Sequence, residues 1–360
     1  MIGAIYYICA FLVISNVLIT RVGSSHWMIR FTDFPRLQLF YLGAVGTVFG
    51  FFYELHDSWI DKAILVLVIF STVYQLIRIY PYTPLARKEV ADEPPSTDTP
   101  DVSVLVSNVL DKNRRADLLL KLIEKRNPDV ILLMETGMWW EQAMQVLEDE
   151  YKYSVKVPLE NAYGMHLYSR LKIEAAQVHY KIQKEVPSIT ARLVLATGPS
   201  LKLYCLHPKP PSPTENETSV NRDAELLIYA ADINDKMEPA LVIGDLNDVA
   251  WSKTTRLFQQ ISGLLDPRKG RGFFSTFNAF IPFLRWPLDH VFFSEHFQLR
   301  SIARLPSIKS DHFPIFISLD FAPAKKHKQE VPEEATEEEE EWAEEKIKEG
   351  IANGNSPETE

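Results

Sequence analysis

Leu241-Val242-Ile243-Gly244-Asp245-Leu246-Asn247-Asp248 sets three aliphatic residues before a glycine, then three polar side chains among the next four positions. An unbroken apolar run reads as a strand buried on both faces, and the glycine ends it where the chain turns. Asp245 and Asn247 lie two apart beyond that strand end, so both can point the same way. Ligands of α/β sheets gather outside the carboxyl ends of strands; a polar loop capping a core strand is the plainer alternative. A second stretch has the same form. Pro128-Asp129-Val130-Ile131-Leu132-Leu133-Met134-Glu135 and Pro239-Ala240-Leu241-Val242-Ile243-Gly244-Asp245 each run from a proline through a buried strand to a carboxylate. Glu135 and Asp245 are therefore expected at equivalent ends of two sheets, facing one cleft.

Around these two strands the pattern alternates. Val102, Val104 and Val106 lead a strand to Asn108, and residues 114–126 have helical periodicity. Further strands are expected at 164–170, 189–196, 201–207, 288–294 and 313–321, with a helix over 220–235. Many strands and few helices suggest stacked sheets with helices outside rather than a simple doubly wound sheet.

The first eighty residues differ in kind. Residues 2–20 and 37–53 carry no charge, and 63–77 is a third apolar run, which together read as three transmembrane helices. A signal peptide fits residues 2–20 less well, because a positive n-region and a small-x-small cleavage site are missing. Trp27, Phe31 and Phe34 interleave with Arg30 and Arg36, as in a connection lying along a membrane surface. Arg21, Arg30, Arg36, Arg78, Arg87 and Lys88 flank one side and Lys62 the other. The positive-inside rule then places the C-terminal part in the cytoplasm, although long domains are translocated despite such bias, so the side stays open. The expected organisation is a membrane region over 1–80, a linker over 81–100 rich in Pro and Thr, a catalytic domain over 101–321 and an acidic disordered tail over 322–360.

Of the net charge of −10, residues 325–360 hold 5 basic and 13 acidic side chains, or −8. The folded part thus lacks the basic excess of a nucleic-acid binder. Cys9 and Cys205 suggest neither a disulfide framework nor a thiolate metal site.

Polar side chains recur after apolar runs: Asn108, Glu135, His207, Asp245, Asn247, Asp289-His290 and Ser310-Asp311-His312. Oxygen-rich sets suit a hard divalent cation such as Mg²⁺. H-E-x-x-H and Cys/His zinc spacings are missing, as are the phosphate-binding G-x-x-x-x-G-K-[ST] loop, G-x-G-x-x-G and G-x-S-x-G. Metal-assisted hydrolysis of a phosphate ester remains.

In order, Ser107-Asn108-Val109, Met134-Glu135-Thr136, Tyr163-Gly164 with Ser169-Arg170, Leu206-His207-Pro208, Gly244-Asp245-Leu246-Asn247-Asp248, Leu288-Asp289-His290 and Ser310-Asp311-His312 resemble the motif series of the endonuclease/exonuclease/phosphatase (deoxyribonuclease I-like) superfamily. The apolar N-terminal part is similar to that of bacterial membrane-anchored members. The resemblance implies an α/β four-layer sandwich, two stacked mixed sheets flanked by helices, with Mg²⁺ as cofactor and Mn²⁺ as its substitute. It implies Glu135 as principal metal ligand, with Asn108 and Asp311 near the metal. Asp245 is implied to orient or deprotonate the attacking water, assisted by Asn247, and His207 and His312 to contact the scissile phosphate. Asp289 is implied to orient His312, and Asn108 and Arg192 to contact substrate. Asp248 takes no role from the resemblance and reads as a turn residue.

Physically, a cation and imidazolium donors stabilise the charge that grows on an attacked phosphoryl group, while a carboxylate positions the nucleophile. Two features depart from the series. Leu110 stands where many family nucleases carry an acidic residue, and His290, read as structural, stands where many members have another residue.

The expected function is a multi-pass, membrane-anchored phosphodiesterase acting on nucleic acid or on a phospholipid headgroup. A lipid bilayer is one partner, and no protein partner is inferable. A catalytically inactive membrane scaffold is the alternative, which predicts a lost catalytic residue where none is missing. Loops 208–217 and 266–287 are expected to set specificity, with Arg268, Lys269 and Arg271 as candidate phosphate contacts.

Overall fold

In the computed structural model, residues 2–52, 58–92 and 101–354 are described. Eight residues of the expected linker, 93–100, and the last six of the tail lie outside the described residues. The chain begins with helices α1 (Ile2–Ile19), α2 (Trp27–Phe31), α3 (Arg36–Phe52) and α4 (Trp59–Ile79). The chain then runs β1 (Val102–Asn108), α5 (Ala116–Arg126), β2 (Val130–Met134), α6 (Met138–Ala143), β3 (Tyr153–Val157), β4 (Met165–Ser169), β5 (Lys172–His179), β6 (Ser188–Val194) and β7 (Ser200–Cys205). It closes with α7 (Val220–Lys236), β8 (Ala240–Asp245), α8 (Lys253–Ser262), β9 (Asp289–Phe293), β10 (Phe297–Arg304), β11 (Ile315–Phe321) and α9 (Glu337–Asn353).

Two mixed sheets result, one ordered β10-β11-β1-β2-β4-β3 and the other β5-β6-β7-β8-β9. Alternate residues of each central strand meet between the sheets: Val104, Leu132 and Met134 from one, Leu203, Cys205, Leu241 and Ile243 from the other. The opposite faces are buried too. Leu105, Ile131 and Leu133 pack under Leu119, Ile123 and Trp140 of α5 and α6. Tyr204 and Val242 pack under Leu226, Tyr229 and Phe258 of α7 and α8. Helix, sheet, sheet and helix make four layers, and burial on both faces is why these strands read as continuous apolar runs.

Parallel pairing fixes the position of the site. β1 runs parallel to β2, with Asn108 opposite Met134, and β7 runs parallel to β8, with Cys205 opposite Ile243. The carboxyl ends of all four strands therefore emerge on one rim. Gly244 adopts φ 145°, and a Cβ there would overlap the Leu206 carbonyl, so the bend that delivers Asp245 requires glycine.

The expectation of three membrane spans is corrected. Among the described residues one helix, Trp59–Tyr82, is long and apolar enough to cross a membrane, while Gly3–Ile19 is a shorter apolar helix. At 1.5 Å per residue, a helix of this shorter length reaches about 26 Å, less than a hydrocarbon layer of about 30 Å. α1, α3 and α4 pack together with polar groups inside: Gln75 donates to Asn16 Oδ1 at 2.8 Å and accepts from Arg36 Nη1 at 3.0 Å.

The tail also differs from the sequence expectation. Thr336 and Glu339 form a reciprocal cap that starts α9, satisfying two of the orphan amides of a helix start. Ala343, Lys346 and Gly350 are buried. They share one face of the helix, and a Cβ on Gly350 would collide with Ala224 of α7. The acidic residues occupy the rest of the surface, which is why the segment reads as disordered by composition.

Candidate active site at the strand ends

Asn108, at the end of β1, joins the two halves. Its Nδ2 donates to Glu135 Oε1 at 2.8 Å and to Asp245 Oδ2 at 3.2 Å, while its Oδ1 accepts the Leu110 amide at 3.1 Å. With Oδ1 occupied by an obligate donor and Nδ2 facing two carboxylates, the orientation of the amide is set by its partners. Asn108 is therefore a donor bridging the two carboxylates, and its Oδ1 keeps a second lone pair beside the Leu110 amide.

Glu135, one residue past β2, takes φ 60°, and Leu110 and Asn247 are also left-handed, at 60° and 51°. Non-glycine residues in this region carry backbone strain and cluster at functional sites. Burial pushes the Glu135 carboxyl up to about 7, against the Asn108 hydrogen bond and the His312 charge, and Asp311 adds to the rise. A partly buried carboxylate that feels a second carboxylate is suited to a divalent cation, and Glu135 and Asp311 are the hard oxygen donors that could hold one here.

Across the cleft, register sets Asp245 directly opposite Asp289. Two facing carboxylates repel, and His312 resolves the conflict. Its Nδ1 lies 2.7 Å from Asp289 Oδ2 and its Nε2 3.4 Å from Asp245 Oδ2. Burial alone would lower this imidazole, but Asp289 and Asp245 outweigh it and lift it to about 10, so it is a cation at neutral pH. Donor atoms of Asp245, Asp289 and His312 lie within 4.8 Å of one another, a spacing that a metal ion could share. Both ring nitrogens face carboxylates, so the imidazolium itself supplies the positive charge there.

His207 differs. Its Nε2 is 4.0 Å from Asp245 Oδ2, and Nδ1 is buried without a hydrogen-bond partner among the described residues. Burial lowers its pKa, Asp245 opposes this, and the charge of His312 lowers it further. The site thus pairs a cationic imidazole with one held toward the neutral form. The Asn247 backbone amide donates to Asp245 Oδ1 at 2.9 Å, and its side chain donates to the Pro208 carbonyl at 3.0 Å. This fixes the Asp245 carboxylate and ties it to the His207 strand end.

Arg192 lies elsewhere. It pairs with Lys202, which pairs with Ala240 at the opposite end of β8 from Asp245, about 17 Å away along the strand. Its Nη2 meets Glu238 at 2.6 Å. The expected phosphate contacts of loop 266–287 also point inward. Arg268 pairs with Asp266 at 2.7 Å, Lys269 with Glu89, and Arg271 with Asp92 at 2.5 Å.

Residues missed in the sequence surround the site. Tyr163 places its ring 5.4 Å from that of His207, and Phe277 lies 4.9 Å from His312. Thr276 Oγ1 accepts the Asp289 amide at 3.2 Å, and Ser310 Oγ donates to the Asn108 carbonyl at 2.9 Å. Arg222 Nη1 donates to the Asn247 carbonyl at 2.8 Å while pairing with Asp223 and Asp248. Tyr163 and Ser310 lay within the motif series without a role; Phe277, Thr276 and Arg222 lay outside it. Asp248 lies in the bend after β8 and is also a buried ion-pair partner of Arg222. His290 is structural, held between Arg268 at 2.7 Å and the Asp248 carbonyl at 2.9 Å.

Stacked mixed sheets, outer helices and a rim of carboxylates, amide and imidazoles define the architecture of a phosphoesterase fold. Residues 104–312 match the Endonuclease/Exonuclease/phosphatase family, and the chain belongs to it. The human Nocturnin catalytic domain with bound sulfate anion is similar, with a TM-score of 0.51 at 18% identity, covering 63% of this chain and 97% of that one. An endonuclease/exonuclease/phosphatase from Beutenbergia cavernae DSM 12333 gives 0.50 at 17% identity, covering 61% and 72%. D. rerio TDP2 complexed with single strand DNA product gives 0.48 at 16% identity, covering 61% and 98%. At these identities the likeness is one of fold. No curated protein matches the chain.

Proposed function

We propose that the chain is a membrane-anchored hydrolase of phosphodiesters that uses a divalent metal, Mg²⁺ by the hardness of its oxygen donors. Glu135 and Asp311 would hold the metal, which would supply positive charge to the phosphoryl oxygens. Asp245, fixed by the Asn247 and Asn108 donors, orients the attacking water and accepts its proton. His312, charged and held by Asp289, donates to the phosphoryl group as negative charge grows. His207 is positioned to make a second contact to the phosphate. The observation that carries this reading is His312 held between Asp289 and Asp245, with 2.7 and 3.4 Å separations.

Membrane anchoring through α4 is supported by the distribution of side chains. Val66, Leu67, Phe70, Val73 and Ile77 are exposed, whereas Ser71, Thr72 and Gln75 are buried against the neighbouring helices. A helix in water shows the reverse, and in lipid polar side chains turn toward the bundle interior.

The test uses the full chain purified in detergent, with bis(p-nitrophenyl) phosphate as the diester. Hydrolysis should require Mg²⁺ or Mn²⁺ and fall at least 100-fold in Asp245→Asn. Equal turnover with chelator present, or in the variant, overturns the reading.

A further inference from the structure

Between α3 and loop 273–285 lies an open groove of about 800 Å³, a size typical of small-molecule sites. One wall is Leu37 and Tyr41 of α3, and the other is Phe273, Phe274 and Phe283. Two further observations give the groove a chemistry.

First, its apolar surface continues onto exposed helix and loop. Tyr41, Val45 and Val48 are exposed on α3 at spacings that share one helical face. Opposite them, Phe280, Ile281, Phe283 and Leu284 are all exposed, Phe283 at 84%. A run of four large apolar residues bared within five positions is costly in water, and natural in contact with lipid. Gln38 of α3 donates to the Phe283 carbonyl at 2.9 Å, so the loop is pinned to the helix. Tyr41 lies five residues into α3 from its Arg36 end, about 7 Å along the helix axis.

Second, the groove holds two cations. Arg285 and Arg304 both line it and lie over the Phe313 ring, at 5.0 and 4.5 Å. Among the described residues neither makes an ion pair. Burial and the neighbouring Arg285 hold the Arg304 guanidinium below its usual range, a cost that a bound anion would relieve.

The groove and the catalytic cluster share a wall. Ser275 lines the groove and accepts from Arg304 at 2.9 Å, whereas Thr276 bonds Asp289 and the Phe277 ring lies tilted against His312. Ala279 donates its amide to the Asp311 carbonyl at 2.6 Å. The ring beneath the two arginines belongs to the residue that follows His312.

We propose that this groove binds a phospholipid drawn from the bilayer, with its acyl chains against α3 and the Phe280–Leu284 lip and its phosphate beside Arg285 and Arg304. This rests on the hydrolase reading above and names its substrate class. Hydrolysis would add water across one P–O ester bond: the water oxygen joins phosphorus, the ester oxygen leaves and takes up a proton, and a phosphomonoester and an alcohol result.

Two measurements test the proposal. Native mass spectrometry of the full-length Asp245→Asn chain in detergent, with dioleoyl phosphatidylglycerol, reads binding without turnover. Bound lipid should fall at least five-fold when Phe283→Asp or Arg304→Gln is added; equal lipid retention in both overturns the groove. Separately, the ratio of turnover on dioleoyl phosphatidylglycerol vesicles to turnover on bis(p-nitrophenyl) phosphate should fall at least ten-fold in Phe283→Asp. An unchanged ratio overturns the lipid assignment while leaving the diesterase reading intact. Lipid binding without any diester turnover supports the groove and removes the hydrolase reading alone.

Discussion

Nδ1 of His312 lies 2.7 Å from Oδ2 of Asp289, both side chains buried. Asp289 opens β9 directly opposite Asp245, so one strand register delivers both carboxylates to the same imidazole. Asp289→Asn keeps the shape and removes the largest of the charges that hold His312 up at about 10. In the native chain the imidazole stays charged as pH rises until it approaches that value. In Asp289→Asn it loses its proton at lower pH, so the alkaline limb of the pH–rate profile should move down. The maximal rate should fall by about 10² to 10⁴, the range expected for a mispositioned acid–base group. A pH–rate profile with the same alkaline limb as the native chain would refute this role.

Removal of metal should expose the cost of Glu135. Its folded-state pKa is raised to about 7 from 4.5, so the folded apo form binds the proton more tightly than the unfolded chain does. Stability from this group is full below pH 4.5 and is lost as pH rises through 7. The loss is on the order of 3 kcal/mol, since a tenfold difference in proton affinity is worth about 1.4 kcal/mol. With chelator present, the melting temperature should drop between pH 5 and 8, and Mg²⁺ should restore it at the upper end. Glu135→Gln should flatten both dependences and abolish calorimetric Mg²⁺ binding. A flat native profile under chelation would show that this carboxyl is not desolvated.

Arg192→Ala should change diester turnover by less than two-fold, because its guanidinium is committed to Glu238 at the far end of β8. The cost should be confined to stability, at most about 1 kcal/mol for a partly exposed pair. Thermal melting beside steady-state rates separates the two effects, and a ten-fold loss of turnover with unchanged melting would return Arg192 to the site.

The legibility of the chain follows from what a local pattern records. β1, β2 and β8 are buried on both faces, and their carboxyl ends carry Asn108, Glu135 and Asp245 directly after the apolar runs. A strand end and the polar residue beyond it are both visible in sequence. Arg192, implied at the site by the resemblance alone, stands at the other end of the sheet, because a strand pattern records the face of a residue but not which end of the sheet holds the chemistry. Arg222 and Thr276 reach the site by hydrogen bonds to residues 25 and 13 positions away, and no local period encodes such contacts. In α9 the run of glutamates masks the spacing of Ala343, Lys346 and Gly350 that docks it on α7.

The site is coupled to the N-terminal helices through one buried ionic chain. Arg222 donates to Asp223 Oδ1 at 2.7 Å through Nη2, faces Asp248 at 3.2 Å, and donates to the Asn247 carbonyl at 2.8 Å. The other oxygen of Asp223 meets Arg30 of α2 at 2.9 Å. Arg222→Ala would leave two buried carboxylates with Arg30 as their remaining cation, and breaking a buried pair costs about 3 to 5 kcal/mol. Arg222→Lys keeps the charge but loses the planar fork that serves three partners at once. The lysine variant should fold with a lowered melting temperature and lose turnover through kcat rather than KM, because the Asn247 backbone that fixes Asp245 is released. Arg30→Ala should cost less, since Asp223 keeps Arg222. Steady-state kinetics and melting of the three variants check this order. A lysine variant as stable and as active as the native chain would remove Arg222 from the support of the site.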